Sequence, residues 1–191
     1  SDIEIKSFNS PNVEEINYEV KKFSKIYDYN YQYILGPADT ISINLTDTDD
    51  LDGSYLIDQD GMIDLPFIGK LKIDNLNLND AQNILTEVIK NYYKNPDLQI
   101  NIEEFNSSKV YILGAVKNQV TIKLDQKPIR VIEAAIQANF NPSSSEKSFG
   151  TKGFLRRDNE VYKINLTNAY KSKDDKENFY LKKNDVIFID R

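Results

Sequence analysis

Alternation of polar and apolar residues, cut off every few positions by Gly, Pro or Asn, sets what this chain can fold into. Thr40-Ile41-Ser42-Ile43-Asn44-Leu45 has the period-two pattern of a half-buried strand, and Leu98, Ile100 and Ile102 alternate in the same way. Ser54-Tyr55-Leu56-Ile57, Met62-Ile63-Asp64-Leu65 and Lys70-Leu71-Lys72-Ile73 give three more short strands, separated by Asp60-Gly61 and by the breaks at Pro66 and Gly69. Asp-Gly tolerates positive φ and predicts a tight hairpin turn. One stretch has the other period. Ala81, Ile84, Leu85, Val88, Ile89 and Tyr92 share one helical face, which predicts a helix over 79–94 capped by Asn79 and stopped by Asn95-Pro96. Lys90 and Lys94 then fall at the negative end of its dipole. Short strands with one helix on one face make a small α+β unit.

A second series follows. Strands are expected at 110–116 and 120–124 around the turn Lys117-Asn118-Gln119, then a helix over 129–138 opened by Pro128 and closed by Asn139. Val131, Ile132, Ala135 and Ile136 form its inward face. Strands at 154–157 and 161–164 meet at Asp158-Asn159, loops occupy 141–153 and 171–177, and a last strand spans 185–189. Hairpin, helix, then further strands is the order of a β-grasp domain. Ahead of both series, Asn12-Val13-Glu14-Glu15 reads as a capped helix start. Alternating Tyr27, Tyr29, Tyr31 and Tyr33 continue from it as an extended segment. The expected organisation is an N-terminal extension with a short helix (1–32), an α+β domain (33–104) and a β-grasp domain (105–191).

Composition narrows the chemistry. The 191 residues contain no Cys and no His, which removes thiolate nucleophiles, disulfides, zinc sites with S or N ligands and His-based triads. With 24 Lys+Arg against 30 Asp+Glu the net charge is −6, which argues against nucleic acid as a partner. No apolar run reaches the ~20 residues of a spanning helix. No secretory leader opens the chain, so the expectation is either a cytoplasmic protein or a targeting segment already removed, and a start at Ser1 without Met favours the second.

The remaining candidates read as structural. Asp47, Asp49, Asp50, Asp52, Asp58 and Asp60 invite a calcium loop, but the EF-hand register puts Leu56 and Phe67 at ligand positions, so a solvated acidic loop is expected. Gly150-Thr151-Lys152-Gly153 lacks the phosphate-loop pattern and reads as a surface loop. Arg156 and Arg157 point to opposite faces of a strand and read as surface or interdomain charges. The sequons at Asn44, Asn106 and Asn165 carry no assigned role. No catalytic, cofactor-binding or metal residue is expected, and no cofactor.

Three motifs in order carry a family resemblance: Tyr33-Ile34-Leu35-Gly36-Pro37-Ala38-Asp39, the run Ile57-Asp58-Gln59-Asp60-Gly61-Met62-Ile63-Asp64-Leu65-Pro66-Phe67-Ile68-Gly69, and Tyr93-Lys94-Asn95-Pro96. The segment 33–103 resembles the export domain of Wza-like polysaccharide export proteins of the bacterial outer membrane. Residues 110–116, with Gly114, and 181–187, with Asp185, resemble the soluble-ligand-binding β-grasp domain that follows in these exporters. Ala38, Asn118-Gln119 and Asn184 depart from the family pattern, and turns of altered shape are expected at Ala38 and Gln119. The resemblance implies structural roles for Gly36, Pro37, Asp39, Asp60, Gly61, Leu65, Pro66, Gly69, Asn95, Pro96, Gly114 and Asp185. In that reading Gly36 and Gly61 allow turns, Leu65-Pro66 and Ile68 supply rigid packing, and Asn95-Pro96 redirects the chain.

For the whole protein the resemblance implies a homo-oligomeric ring in an export channel for capsule or exopolysaccharide, without catalysis. It also implies a polysaccharide cargo, an inner-membrane polysaccharide copolymerase as partner, and a lipid anchor at the periplasmic face of the outer membrane. The anchoring Cys and a C-terminal pore helix are then expected outside these residues. A wide polar lumen without adhesive apolar patches belongs to the same expectation. The other reading is a periplasmic glycan- or small-ligand-binding β-grasp module, which would bind oligosaccharide saturably where a conduit binds it weakly.

Overall fold

The structure, a computed structural model, describes residues 26, 29–114, 116, 118–141, 152–171 and 177–190. The expected N-terminal helix, the Gly150-Thr151 end of the Gly/Lys loop, most of the 141–153 loop and most of the charged 171–177 stretch lie outside them. The chain forms two compact units. One comprises Gln32–Val110 and Ile122–Pro128, the other Ser1–Tyr31, Tyr111–Thr121 and Ile129–Arg191. Both mix strands and helices, in keeping with the α+β expectation.

In the first unit, strands β1 (Thr40–Leu45), β2 (Thr48–Leu56) and β5 (Leu98–Glu104) form an antiparallel sheet with β1 in the middle. Ile41, Ile43 and Leu45 from β1 and Leu98, Ile100 and Ile102 from β5 turn to the buried side, so the alternation read in the sequence is the burial pattern of the sheet. Helix α1 (Leu78–Ile89) buries Ala81, Leu85 and Ile89. The cap is Asn77, whose side chain accepts the Asp80 N–H at 2.8 Å, and not Asn79. Ile84 and Tyr92 face outward, so the buried stripe is narrower than expected. The helix ends at Ile89, earlier than its apolar periodicity continues, and tightens into three-residue turns, with Asn91 N–H donating to the Val88 carbonyl and Tyr92 N–H to the Ile89 carbonyl.

Two local expectations are overturned here. Only half of the acidic run is loop, since Asp47, Asp58 and Asp60 lie outside the strands. Asp49, Asp50 and Asp52 lie on β2, an edge strand that buries only Leu51. Charges on such an edge discourage pairing with other strands. Asp52 has a further task, because Oδ1 accepts the Leu45 N–H at 3.0 Å where the β1–β2 register shifts. Nor does Asp60-Gly61 close a hairpin between the flanking strands. Strand β3 (Met62–Leu65) pairs with β4 (Gly69–Lys72), through a tip at Pro66-Phe67-Ile68. The Gly61 carbonyl accepts instead from Ile73 and Asp74, which ties the Asp-Gly turn to the exit of β4.

The second unit is built on a five-stranded sheet ordered β7-β6-β10-β8-β9. Its strands are β6 (Lys109–Gly114), β7 (Val120–Lys123), β8 (Lys152–Arg157), β9 (Glu160–Asn165) and β10 (Val186–Ile189). β10 runs parallel to β6 and antiparallel to β8. Asp158 and Asn159 turn β8 into β9 with φ of 50° and 65°, as a two-residue hairpin requires. Helix α2 (Val131–Gln137) buries Val131, Ile132, Ala134 and Ala135, while Ile136 is exposed, contrary to expectation. Its start is capped from elsewhere in the chain, the Asn178 carboxamide oxygen accepting the Ile132 N–H at 3.1 Å. Asn139, at φ 62°, closes it as expected. A six-residue helix α3 (Leu166–Lys171), not anticipated from the sequence, follows β9.

Candidate functional site

The first motif folds as a four-residue turn closed by its own aspartate. Asp39 N–H donates to the Gly36 carbonyl at 3.1 Å, with Pro37 and Ala38 at the two central positions. Proline suits the first of these and positive φ the second, which is the type II pattern. The positive φ falls on Ala38, at 77°, and Gly36 is not among the positive-φ residues. The expectation of a reshaped turn at Ala38 is thereby corrected, since the backbone keeps a glycine-type conformation and alanine bears the strain. A left-handed L-residue costs roughly 1–2 kcal/mol. Glycine's extra freedom in the unfolded chain takes back roughly 0.5–1 kcal/mol. Ala38→Gly should therefore stabilise the first unit by up to about 1 kcal/mol, read as a raised thermal midpoint. A lowered midpoint would mean that the exposed Ala38 methyl contributes packing that outweighs the strain.

The carboxylate of Asp39 is fully buried and takes five hydrogen bonds. Oδ1 accepts from Tyr33 Oη at 2.9 Å, Asn106 N–H at 2.7 Å and Ser107 N–H at 2.8 Å. Oδ2 accepts from Gly36 N–H at 3.0 Å and Ser107 Oγ at 2.6 Å. None of these donors is a cation, so the charge is held by converging dipoles alone. Tyr33 is itself buried, edge-on to Phe105 at 4.9 Å between ring centroids. Burial pushes its hydroxyl above the ordinary phenol range, and Asp39 adds to the shift while Ser107 opposes it. The hydroxyl remains a proton donor. Asp39 thus joins the start of the domain to residues 105–107, where β5 ends. The sequence placed Asp39 in the motif but assigned no role to Asn106 and gave no sign of Ser107.

The second motif is a turn ordered by Asp58. Its Oδ1 accepts from Asp60 N–H at 2.9 Å and Met62 N–H at 3.0 Å, and Gly61 N–H donates to the Asp58 carbonyl. Gly61 has φ 80°, and a Cβ there would collide with the Asp74 carboxylate. The Met62 N–H is the leading cause that holds the Asp58 carboxyl below its ordinary range, aided by the Asp60 N–H and the nearby Lys70. A carboxyl depressed in the folded state contributes stability above the ordinary carboxylate range, and that contribution is lost as pH falls through the folded value. The stability difference between the natural chain and Asp58→Ala, followed by denaturant unfolding, should hold near neutrality and shrink below about pH 4. A difference independent of pH would sink this account of the turn.

The remaining motif positions have distinct placements. Leu65 is buried, as expected, but Pro66 is exposed and Ile68 only half-buried, so rigid packing rests on Leu65 alone. Gly69 adopts φ 98° after the hairpin tip, and Asn95 adopts φ 46° before Pro96. Gly114 has φ 97°, and a Cβ would run into the Ile189 carbonyl oxygen, which lets β6 and β10 approach. Among the described residues there is no acidic cluster able to hold a metal ion. No helix among them is long and apolar enough to cross a membrane.

Asp185 in the second unit repeats the device of Asp39. Its N–H donates to the Lys182 carbonyl at 2.9 Å, its Oδ2 accepts the Lys182 N–H at 2.7 Å, and Asn184 between them has φ 69°. Here a cation joins. Arg157 Nε and Nη2 reach Asp185 Oδ1 and Oδ2 at 2.9 and 2.6 Å, and Nη2 also donates to the Tyr180 carbonyl at 2.9 Å. Arg157 is 7% exposed and Asp185 fully buried, so the reading of Arg157 as a surface charge is overturned. The guanidinium lies over the rings of Tyr29 and Phe179, at 5.1 and 5.8 Å. Burial raises the Asp185 carboxyl above its ordinary range, and Arg157 is the strongest opposing influence.

With this geometry in place, comparison with known proteins is informative. Residues 28–103 match the family model for polysaccharide biosynthesis/export protein. That segment is therefore similar to the family whose resemblance its three motifs carry. It is 31% identical to the polysialic acid transport protein KpsD of Escherichia coli over 91 residues, 47% of this chain and 16% of that protein. It is 26% identical to the EPS I polysaccharide export outer membrane protein EpsA of Ralstonia solanacearum over 106 residues, 56% of this chain and 28% of that protein. To EpsA of Ralstonia nicotianae it is 21% identical over 170 residues, 85% of this chain and 44% of that protein. The chain thus spans less than half the length of these curated relatives.

Proposed function

We propose that this chain is the periplasmic, ring-forming portion of an outer-membrane channel that exports capsular or exopolysaccharide. The observation that carries the reading is the export-like segment 28–103, whose motif residues are spent on holding backbone: Asp39 on the 105–107 joint, Asp58 on a turn, Gly61 on a close approach. Side chains so engaged order a wall, which is the work a conduit asks of its subunits. The EpsA relatives are named outer membrane proteins, which supports a place at the periplasmic face of that membrane. The second unit, with β6 and β10 parallel and α2 between β7 and β8, serves in this reading as the β-grasp domain. The working assembly is a homo-oligomer that receives polymer from an inner-membrane copolymerase.

Native mass spectrometry of the membrane-extracted, full-length protein should give a closed oligomer. Deleting its gene should remove polysaccharide from the cell surface. A strictly monomeric full-length protein, or a deletion strain with an intact surface polymer, would overturn the proposal.

A further inference from the structure

Three aromatic rings on the first unit stand apart from every structural role described above. Phe67, at the tip of the β3–β4 hairpin, is 63% exposed, and Tyr92, just beyond α1, is 52% exposed. Their ring centroids lie 5.8 Å apart in an edge-on arrangement, and Tyr93 lies 6.4 Å from Phe67 on its other contact. The backbone at Phe67 has φ 50°, in a turn closed by Ile68 N–H to the Pro66 carbonyl at 2.6 Å. Left-handed backbone is an outlier for a bulky residue. Strain of this kind persists where the surroundings impose it, often at sites of function. Here it holds a phenyl ring in water. The Tyr93 hydroxyl donates to Asp50 Oδ2 at 3.0 Å, which sets a hydroxyl and a carboxylate at the margin of the rings.

We infer that Phe67, Tyr92 and Tyr93 form a stacking platform for a pyranose ring of the exported polymer. The inference rests on the export function proposed above and departs from the expectation of a conduit without apolar patches. An aromatic face is electron-rich, and the C–H face of a pyranose presents weakly positive hydrogens to it. Sugar hydroxyls at the ring margin meet acceptors such as the Asp50 carboxylate. The size of the patch selects the occupant. A whole aromatic side chain covers roughly 150–250 Å², and two rings about half exposed offer no more than a few hundred Å². A stable protein partner needs about 800 Å² on each side. The patch is also bounded by exposed charged or polar neighbours, Asp64 and Lys70 on the hairpin and Lys90, Asn91 and Lys94 after the helix. One sugar ring fits such a surface, and a second copy of the chain does not.

The test is an NMR titration of the whole chain with maltohexaose and, separately, with a sialic acid hexamer, following the aromatic side-chain signals. Shifts confined to Phe67, Tyr92 and Tyr93 that report weak binding, weakened about tenfold further in Phe67→Ala and retained in Phe67→Tyr, are the expected result. Phe67 is exposed, so its truncation should leave the backbone spectrum intact beyond the hairpin tip. Absence of ring shifts with both sugars would overturn the platform. So would ring shifts that depend on protein concentration without sugar and vanish in Phe67→Ala, which would assign the patch to contact between copies. A deletion strain that still exports polymer overturns the channel reading itself. Export that is lost in the deletion strain, together with silent rings, overturns only the platform.

Discussion

Asp39→Ala should destabilise the first unit by on the order of 4 kcal/mol, the largest effect expected of any single substitution there. The truncation strands three backbone N–H groups, a tyrosine hydroxyl and a serine hydroxyl in the interior. Each such donor costs about 1–3 kcal/mol when left unmet, less whatever water can enter to repair. Asp39→Asn should fall between, because its amide group offers two donors where the site supplies only donors. Denaturant unfolding gives the magnitude, and hydrogen exchange gives the location. The Asn106 and Ser107 amides should lose protection first, ahead of the β1–β5 ladder. A loss below about 1 kcal/mol, or unchanged protection at those amides, would show that water or repacking replaces the carboxylate and that the aspartate is no clamp.

In the second unit, Arg157→Met should cost about 3–5 kcal/mol, since it leaves the Asp185 carboxylate buried beside an apolar side chain. The informative comparison is the double variant Arg157→Met with Asp185→Leu. Removing both charges removes the desolvation penalty as well, so the pair of substitutions should be milder than the sum of the two single ones. Asp185 also accepts the Lys182 N–H, so the double variant should not fully recover. Because the chain has two units, the transitions are best followed with probes in each. Additive costs in the double-mutant cycle would mean that Arg157 and Asp185 act independently despite their bidentate contact.

The sequence was most legible where one face of a strand meets the core. β1 and β5 each alternate because every second residue is buried, and period two survives without knowledge of the partner strand. It was least legible at β2, where a nine-residue edge strand buries Leu51 alone and its aspartates imitate a loop. Helix α3 escaped notice because six residues with two buried positions, Leu166 and Ala169, carry too little periodicity. The clamps were half visible. Both aspartates stand three residues after the N–H that each takes back, a local pattern that spacing reveals. Their distant partners are another matter: Asn106 and Ser107 lie 67 and 68 positions from Asp39, and Arg157 lies 28 from Asp185. Only the folded sheet brings them together. Phe67 was read only as one position of the second motif, and no one-dimensional pattern signals that a left-handed tip would turn it outward.

The placement of β10 has a consequence for how the protein is made. This strand comes last in order along the chain, yet it lies in the centre of its sheet, hydrogen-bonded to β6 on one side and β8 on the other. Until residues 186–189 arrive, the two halves of that sheet have nothing to join them, and both expose an unsatisfied inner edge. A chain that emerges N-terminus first would therefore hold the second unit open until β10 emerges, a window in which chaperones can act, and a deletion of residues 186–189 would leave the two halves unjoined.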